Sequence, residues 1–203
     1  MLSLRLFNRS ILTLGALTVF CAVAAADEQN SVQKLLERGS FQEAVERAQS
    51  EGGNPESTYL AAQALMKMDN NGGAEERYSR LREDGDESWK AIGESGAKLL
   101  GGDLDGAMEA ANQAIARNGD NAYAHYQLGL VAMRQNNSQR ALEAFERALQ
   151  LKSDLAYAHY YGGQAAQRVK QIAKMAEHFT LFVRLAPDAP ERQTVQAILR
   201  TLR

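Results

Sequence analysis

The sequence predicts an all-α fold, a solenoid of helix-turn-helix hairpins closed by a C-terminal capping helix. Three observations predict it. The segment AYAHY occurs at residues 122–126 and again 34 residues on at 156–160, and Gly163, Phe179 and Pro187 then follow at the spacings of Gly129, Phe145 and Ser153. In the better copy, Leu128, Gly129 and Ala132 share one face of a first helix, and Ala141, Phe145 and Ala148 recur at i, i+4 and i+7 on a second. Gly39, Gly52, Gly53, Gly72, Gly73, Gly85, Gly101, Gly102 and Gly119 fall where helices are expected to end, and Pro55 and Pro190 where they start.

Each element follows from this unit. Gly129 and the alanines let two helices approach and Phe145 fills the space between them, but such a pair cannot close a core alone and must stack on neighbours. Asn136 and Asn137 tolerate the left-handed backbone of a helix end, and Ser138 is the expected N-cap of the second helix. Eleven helices are expected, at about 29–38, 41–51, 55–68, 73–83, 87–100, 104–117, 121–134, 138–151, 155–168, 172–185 and 190–202. The unit weakens toward the N-terminus. Residues 88–121 keep Ala107 and Ala114 but have Ser95 for the glycine and Ala111 for the aromatic. Residues 55–87 keep Ala62, Ala74 and Tyr78 with the period one residue short, and the first copy retains Gly39, Phe41, Ala44 and Ala48.

On these positions the chain resembles the tetratricopeptide-repeat family, whose unit is a 34-residue helix-turn-helix with Leu-Gly in the first helix, Ala and Phe in the second and a terminal Pro. The resemblance implies a right-handed α-solenoid with repeats at about 27–54, 55–87, 88–121, 122–155 and 156–189 and a capping helix over 190–203. Val195, Ile198, Leu199 and Leu202 form the apolar face of that cap.

Residues 1–26 read as a secretory signal peptide: Arg5 and Arg9, an apolar run over 11–23, then Ala24, Ala25 and Ala26 before a polar stretch. The run is shorter than the ~20 residues a spanning helix needs, so cleavage is expected rather than retention as an anchor. Cys21 is the single cysteine and lies within the signal, which removes disulfides, a thiolate nucleophile and thiolate metal ligands from the mature chain.

No motif of phosphate binding, dinucleotide binding, zinc hydrolysis or nucleophilic catalysis is present in the sequence, so no catalytic residue, metal or cofactor is expected. His125 and His159 occupy equivalent places where the family packs a large side chain between helices. Their hairpins should lie about 10 Å apart, too far for easy joint ligation. His178 is expected to be solvated.

The aromatics point to a surface. Trp89, Tyr123 and Tyr157 are equivalent, as are Ile92, Tyr126 and Tyr160. In tetratricopeptide proteins the first helices line the concave side, so the resemblance implies a groove ladder of Tyr59, Trp89, Tyr123, Tyr126, Tyr157 and Tyr160 beside Leu130, Met133, Arg134, Gln164 and Arg168. Such residues combine apolar area with polar tips and suit an extended or helical peptide. The alternative is that several of these rings pack between repeats. The family's carboxylate clamp of Lys and Asn is not evident.

Residues 27–121 carry 19 acidic against 10 basic side chains, a net of −9, whereas 122–203 carry 6 against 11, a net of +5. The acidic mature chain argues against nucleic acid, and nothing after the signal reads as membrane-binding. The expectation is an exported, periplasmic, non-enzymatic adaptor that binds a protein or peptide in its groove. The competing class is a structural homo-oligomer built through the oppositely charged halves.

Overall fold

The computed structural model describes residues 30–202. The expected signal sequence at 1–26, including Cys21, lies outside the described residues. Among them are eleven helices and no strand: α1 (Val32–Glu37), α2 (Phe41–Ser50), α3 (Pro55–Lys67), α4 (Asn71–Asp84), α5 (Glu87–Gly101), α6 (Leu104–Arg117), α7 (Ala122–Arg134), α8 (Ser138–Leu151), α9 (Ala156–Arg168), α10 (Ile172–Leu185) and α11 (Arg192–Arg200). Consecutive helices pack as antiparallel hairpins, and first helices also meet each other, α1 with α3, α5 with α7 and α7 with α9. The fold is an α-solenoid.

Local chemistry sets the helix boundaries. Ser31, Asn54, Asn70, Asp86, Asp103, Asn121 and Asn137 each accept a backbone N–H of the helix they precede. Asn137 thus caps α8, and Ser138, the expected cap, is its first helical residue. Gly72 and Gly73 likewise lie in the first turn of α4, because Asn70 Oδ1 accepts the Gly73 N–H at 3.0 Å. A left-handed residue turns each hairpin: Gly39, Asp69, Gly102, Asn136 and Lys170, with φ of 82°, 56°, 83°, 60° and 60°.

The glycines on the first helices admit rings from the second. A Cβ at Gly129 would lie 2.6 Å from the Phe145 ring, and one at Gly163 would lie 2.4 Å from Phe179. The third hairpin lacks that aromatic and uses hydrogen bonds instead. Ser95 donates to the Ala107 carbonyl at 2.8 Å, Gln127 donates to Ser95 at 3.2 Å, and Tyr59 donates to Gln127 Oε1 at 2.8 Å, all buried.

The two ends of the solenoid meet. Gln33 Nε2 donates to the Asp154 carbonyl at 2.9 Å, and the buried Glu37 carboxylate accepts the Ala156 N–H at 3.2 Å. Lys67 pairs with Glu191 at 2.6 Å, and Tyr157 donates to the same carboxylate at 3.1 Å. Across the inner wall Tyr123 donates to Glu56 at 2.7 Å. The curvature is therefore tight enough that the inner wall touches itself.

Candidate interaction groove

Tight curvature divides the expected groove residues into two sets. Tyr59, Tyr123, Tyr126 and Tyr157 are core, with exposures of 0, 4, 7 and 5%. Tyr59 sits at their centre, its ring 5.5 Å from Tyr123, 6.3 Å from Tyr126 and 6.1 Å from Trp89. Burial first, and then the facing Glu56 and Glu191 carboxylates, push the Tyr123 and Tyr157 phenols well above their ordinary pKa, so both serve as hydrogen-bond donors. Trp89 and Tyr160 are half-buried at the edge of this cluster. The ladder is thus largely an interior seam between opposite walls rather than an open face.

The second set lines an open groove. Leu130, Met133, Arg134, Gln164 and Arg168 come together with Gln63, Met66, Lys67, Leu99 and Tyr161 around a volume of about 340 Å³. Every wall is a first helix: α3, α5, α7 and α9 each contribute near their C-terminal ends. Met66, Leu99, Leu130 and Met133 make the apolar part, and the charged lining residues are Lys67, Arg134 and Arg168, with no acidic one among them. Lys67 also stacks over the Tyr157 ring at 4.4 Å.

Sequence reasoning missed Gln63, Met66, Lys67, Leu99 and Tyr161. Once the one-residue-short second repeat is allowed for, Lys67 stands at the register of Arg134 and Arg168, and that register was the available signal. Tyr161 follows Tyr160 by one position and was hidden by it. Its ring lies 5.1 Å from Tyr160 and 5.9 Å from Phe145.

Away from the groove, His178 is buried rather than solvated. Its Nδ1 is 3.1 Å from His159 Nδ1 between α9 and α10, so one nitrogen must carry a proton and the other a lone pair. Burial, then the neighbouring His178, pushes His159 down to about 4, and burial also lowers His178 against the pull of Glu146 and Glu177. No group of three or more His, Cys, Asp or Glu side chains among the described residues is placed to hold a metal ion. No helix among them is long and apolar enough to cross a membrane.

With the geometry in place, comparison with known proteins identifies the repeat. The tetratricopeptide-repeat family profile matches residues 97–156, the span from the end of α5 through α8 to the start of α9. These residues form a tetratricopeptide-repeat segment. Among solved structures, YrrB, described as a TPR protein with an unusual peptide-binding site, is similar at 15% identity and a TM-score of 0.52, covering 87% of each chain. MamA is similar at 21% identity and a TM-score of 0.48, covering 75% of this chain and 92% of MamA. MamA from Desulfovibrio magneticus RS-1 gives 23% and 0.47, covering 76% and 90%. No curated protein matches the chain.

Proposed function

We propose that this protein is a non-enzymatic interaction module, an adaptor of the bacterial cell envelope, that holds a partner polypeptide in the groove between α3, α5, α7 and α9. Residues 1–26 act as its export signal, which makes the working compartment periplasmic. One observation carries the reading: a preformed concavity of about 340 Å³ joins an apolar lining to cationic and amide groups on four rigid helices. Ordering cost then falls on the partner rather than on the groove.

Self-assembly through the oppositely charged halves is the weaker reading. Lys152 of the basic half already pairs with Glu56 of the acidic half at 3.6 Å within one chain.

The test is capture from an envelope extract of the source cells, comparing the parent with Leu130→Asn/Met133→Asn at matched helicity and melting temperature. A protein held by the parent and lost by the variant supports the groove. A partner retained by both overturns it, and recovery of the chain alone favours self-assembly.

A further inference from the structure

The groove reading leaves the chemistry of the partner open, and the side chains at its rim supply it. Lys67, Arg134 and Arg168 end three first helices at one register, so the closed curvature gathers three cations around Met66, Leu99, Leu130 and Met133. Lys67 is satisfied: a carboxylate, that of Glu191, already sits on it at 2.6 Å. Arg134 and Arg168 are exposed, and neither has an ion pair or hydrogen bond among the described residues. A helix C-terminus favours a nearby cation, which accounts for one basic residue per helix. It does not account for an apolar floor between two of them, nor for a lining without an acidic side chain to neutralise them. Guanidinium groups next to apolar surface recognise carboxylates in a fork geometry that water competes with less well there.

Resting on that reading, we propose that the groove docks an amphipathic partner segment bearing carboxylate side chains, its apolar residues on the Met66, Leu99, Leu130 and Met133 surface and its Asp or Glu residues at Arg134 and Arg168. The Glu191 carboxylate on Lys67 is the intramolecular precedent for this contact. The partner is read by side chains, so a free C-terminal carboxylate is not required.

The test uses the full mature chain and fluorescence anisotropy with two labelled peptides of about 16 residues, both amidated, with Leu at helical spacing and either Glu or Gln elsewhere. The Glu peptide is expected to bind about ten-fold more tightly than the Gln peptide, and to weaken as salt rises. Arg134→Gln/Arg168→Gln should abolish that preference. Arg140→Gln/Arg147→Gln, on α8 and outside the groove lining, should keep it. Both arginine pairs are surface groups, and unchanged helicity and melting temperature confirm that the variants fold.

Equal binding of the two peptides, or a preference that survives Arg134→Gln/Arg168→Gln, overturns the acidic partner. If that equal binding is lost in Leu130→Asn/Met133→Asn, the groove stands while its acidic specificity falls. Failure of the Glu peptide to bind at all overturns the inference and leaves the groove itself to the capture experiment.

Discussion

The buried histidine pair makes the protein sensitive to mild acid, by an amount that follows from its geometry. His159 titrates at about 4 in the folded chain because it is buried against His178, while the unfolded chain offers an ordinary histidine near 6.5. Between those values the unfolded state binds the proton more readily, so the stability present in full above pH 6.5 is lost as pH falls toward 4. For His159 alone the loss between pH 7.5 and 5.5 is about 1.3 kcal/mol, approaching a ceiling of about 3 kcal/mol near pH 4. His178 is shifted the same way and adds to it. Glu146, 3.9 Å from His178 Nε2, and Glu177 offset part of the loss, whereas Lys174 and Arg184 disfavour protonation. In a domain of this size about 1 kcal/mol moves the melting temperature by about 2–4 °C, so the parent should melt about 3–5 °C lower at pH 5.5 than at 7.5. Thermal denaturation followed by circular dichroism at fixed ionic strength measures this, with His159→Gln/His178→Gln as reference. The window stays above the titration of ordinary carboxylates. If parent and variant lose the same number of degrees, the pair is not the cause.

Gly129→Ala would drive a Cβ to 2.6 Å from a Phe145 ring that is fully buried, and should lower stability in urea by about 1–3 kcal/mol, with partial recovery in Gly129→Ala/Phe145→Leu. Tyr59→Phe leaves the buried Gln127 oxygen without its donor and should cost about 1–3 kcal/mol by the same assay. Lys170→Gly removes a side chain from an exposed left-handed position and should raise stability in urea by about 0.5–1 kcal/mol after the entropy lost to glycine. Glu191→Gln breaks the tie to Lys67, and hydrogen exchange should quicken in α11 and α1 before it quickens in α8.

The hairpins were legible because their information is local and periodic. Gly129 with Phe145, Gly163 with Phe179 and the turn residues at 102 and 136 report their roles within one repeat, whereas the left-handed Lys170 gave no such signal. Most helix starts were legible to within a residue, as at Asn137 and Ser138, both good caps between which only geometry chooses, whereas the expected starts at 29, 73 and 190 miss Val32, Asn71 and Arg192 by two or three residues. Curvature was not legible. Whether Tyr59 faces solvent or Tyr123 depends on small rotations between hairpins, set by contacts such as Gly96, where an added Cβ would stand 2.3 Å from the Tyr78 ring. A sequence places Tyr126 on the inner side of α7, but not the opposite wall that covers it. A Tyr126→Ala variant would therefore report on folding before it reported on binding. Leu130, Met133, Arg134, Gln164 and Arg168, one turn or more further along their helices, remain where the walls diverge.

The Glu37 contact changes how the repeats depend on one another. Asn121 caps α7, but the residue at its register in the next repeat is Leu155, whose side chain has no oxygen to offer. The first-turn N–H of α9 finds its acceptor in Glu37 instead, 119 positions earlier in the chain. An ordinary linear array frays from its termini and tolerates losing an end repeat, because each unit leans only on its neighbours. In this chain the fifth repeat begins on a group supplied by the first. Trimming either terminus removes half of a shared helix start, and the array should melt as one cooperative body rather than unit by unit.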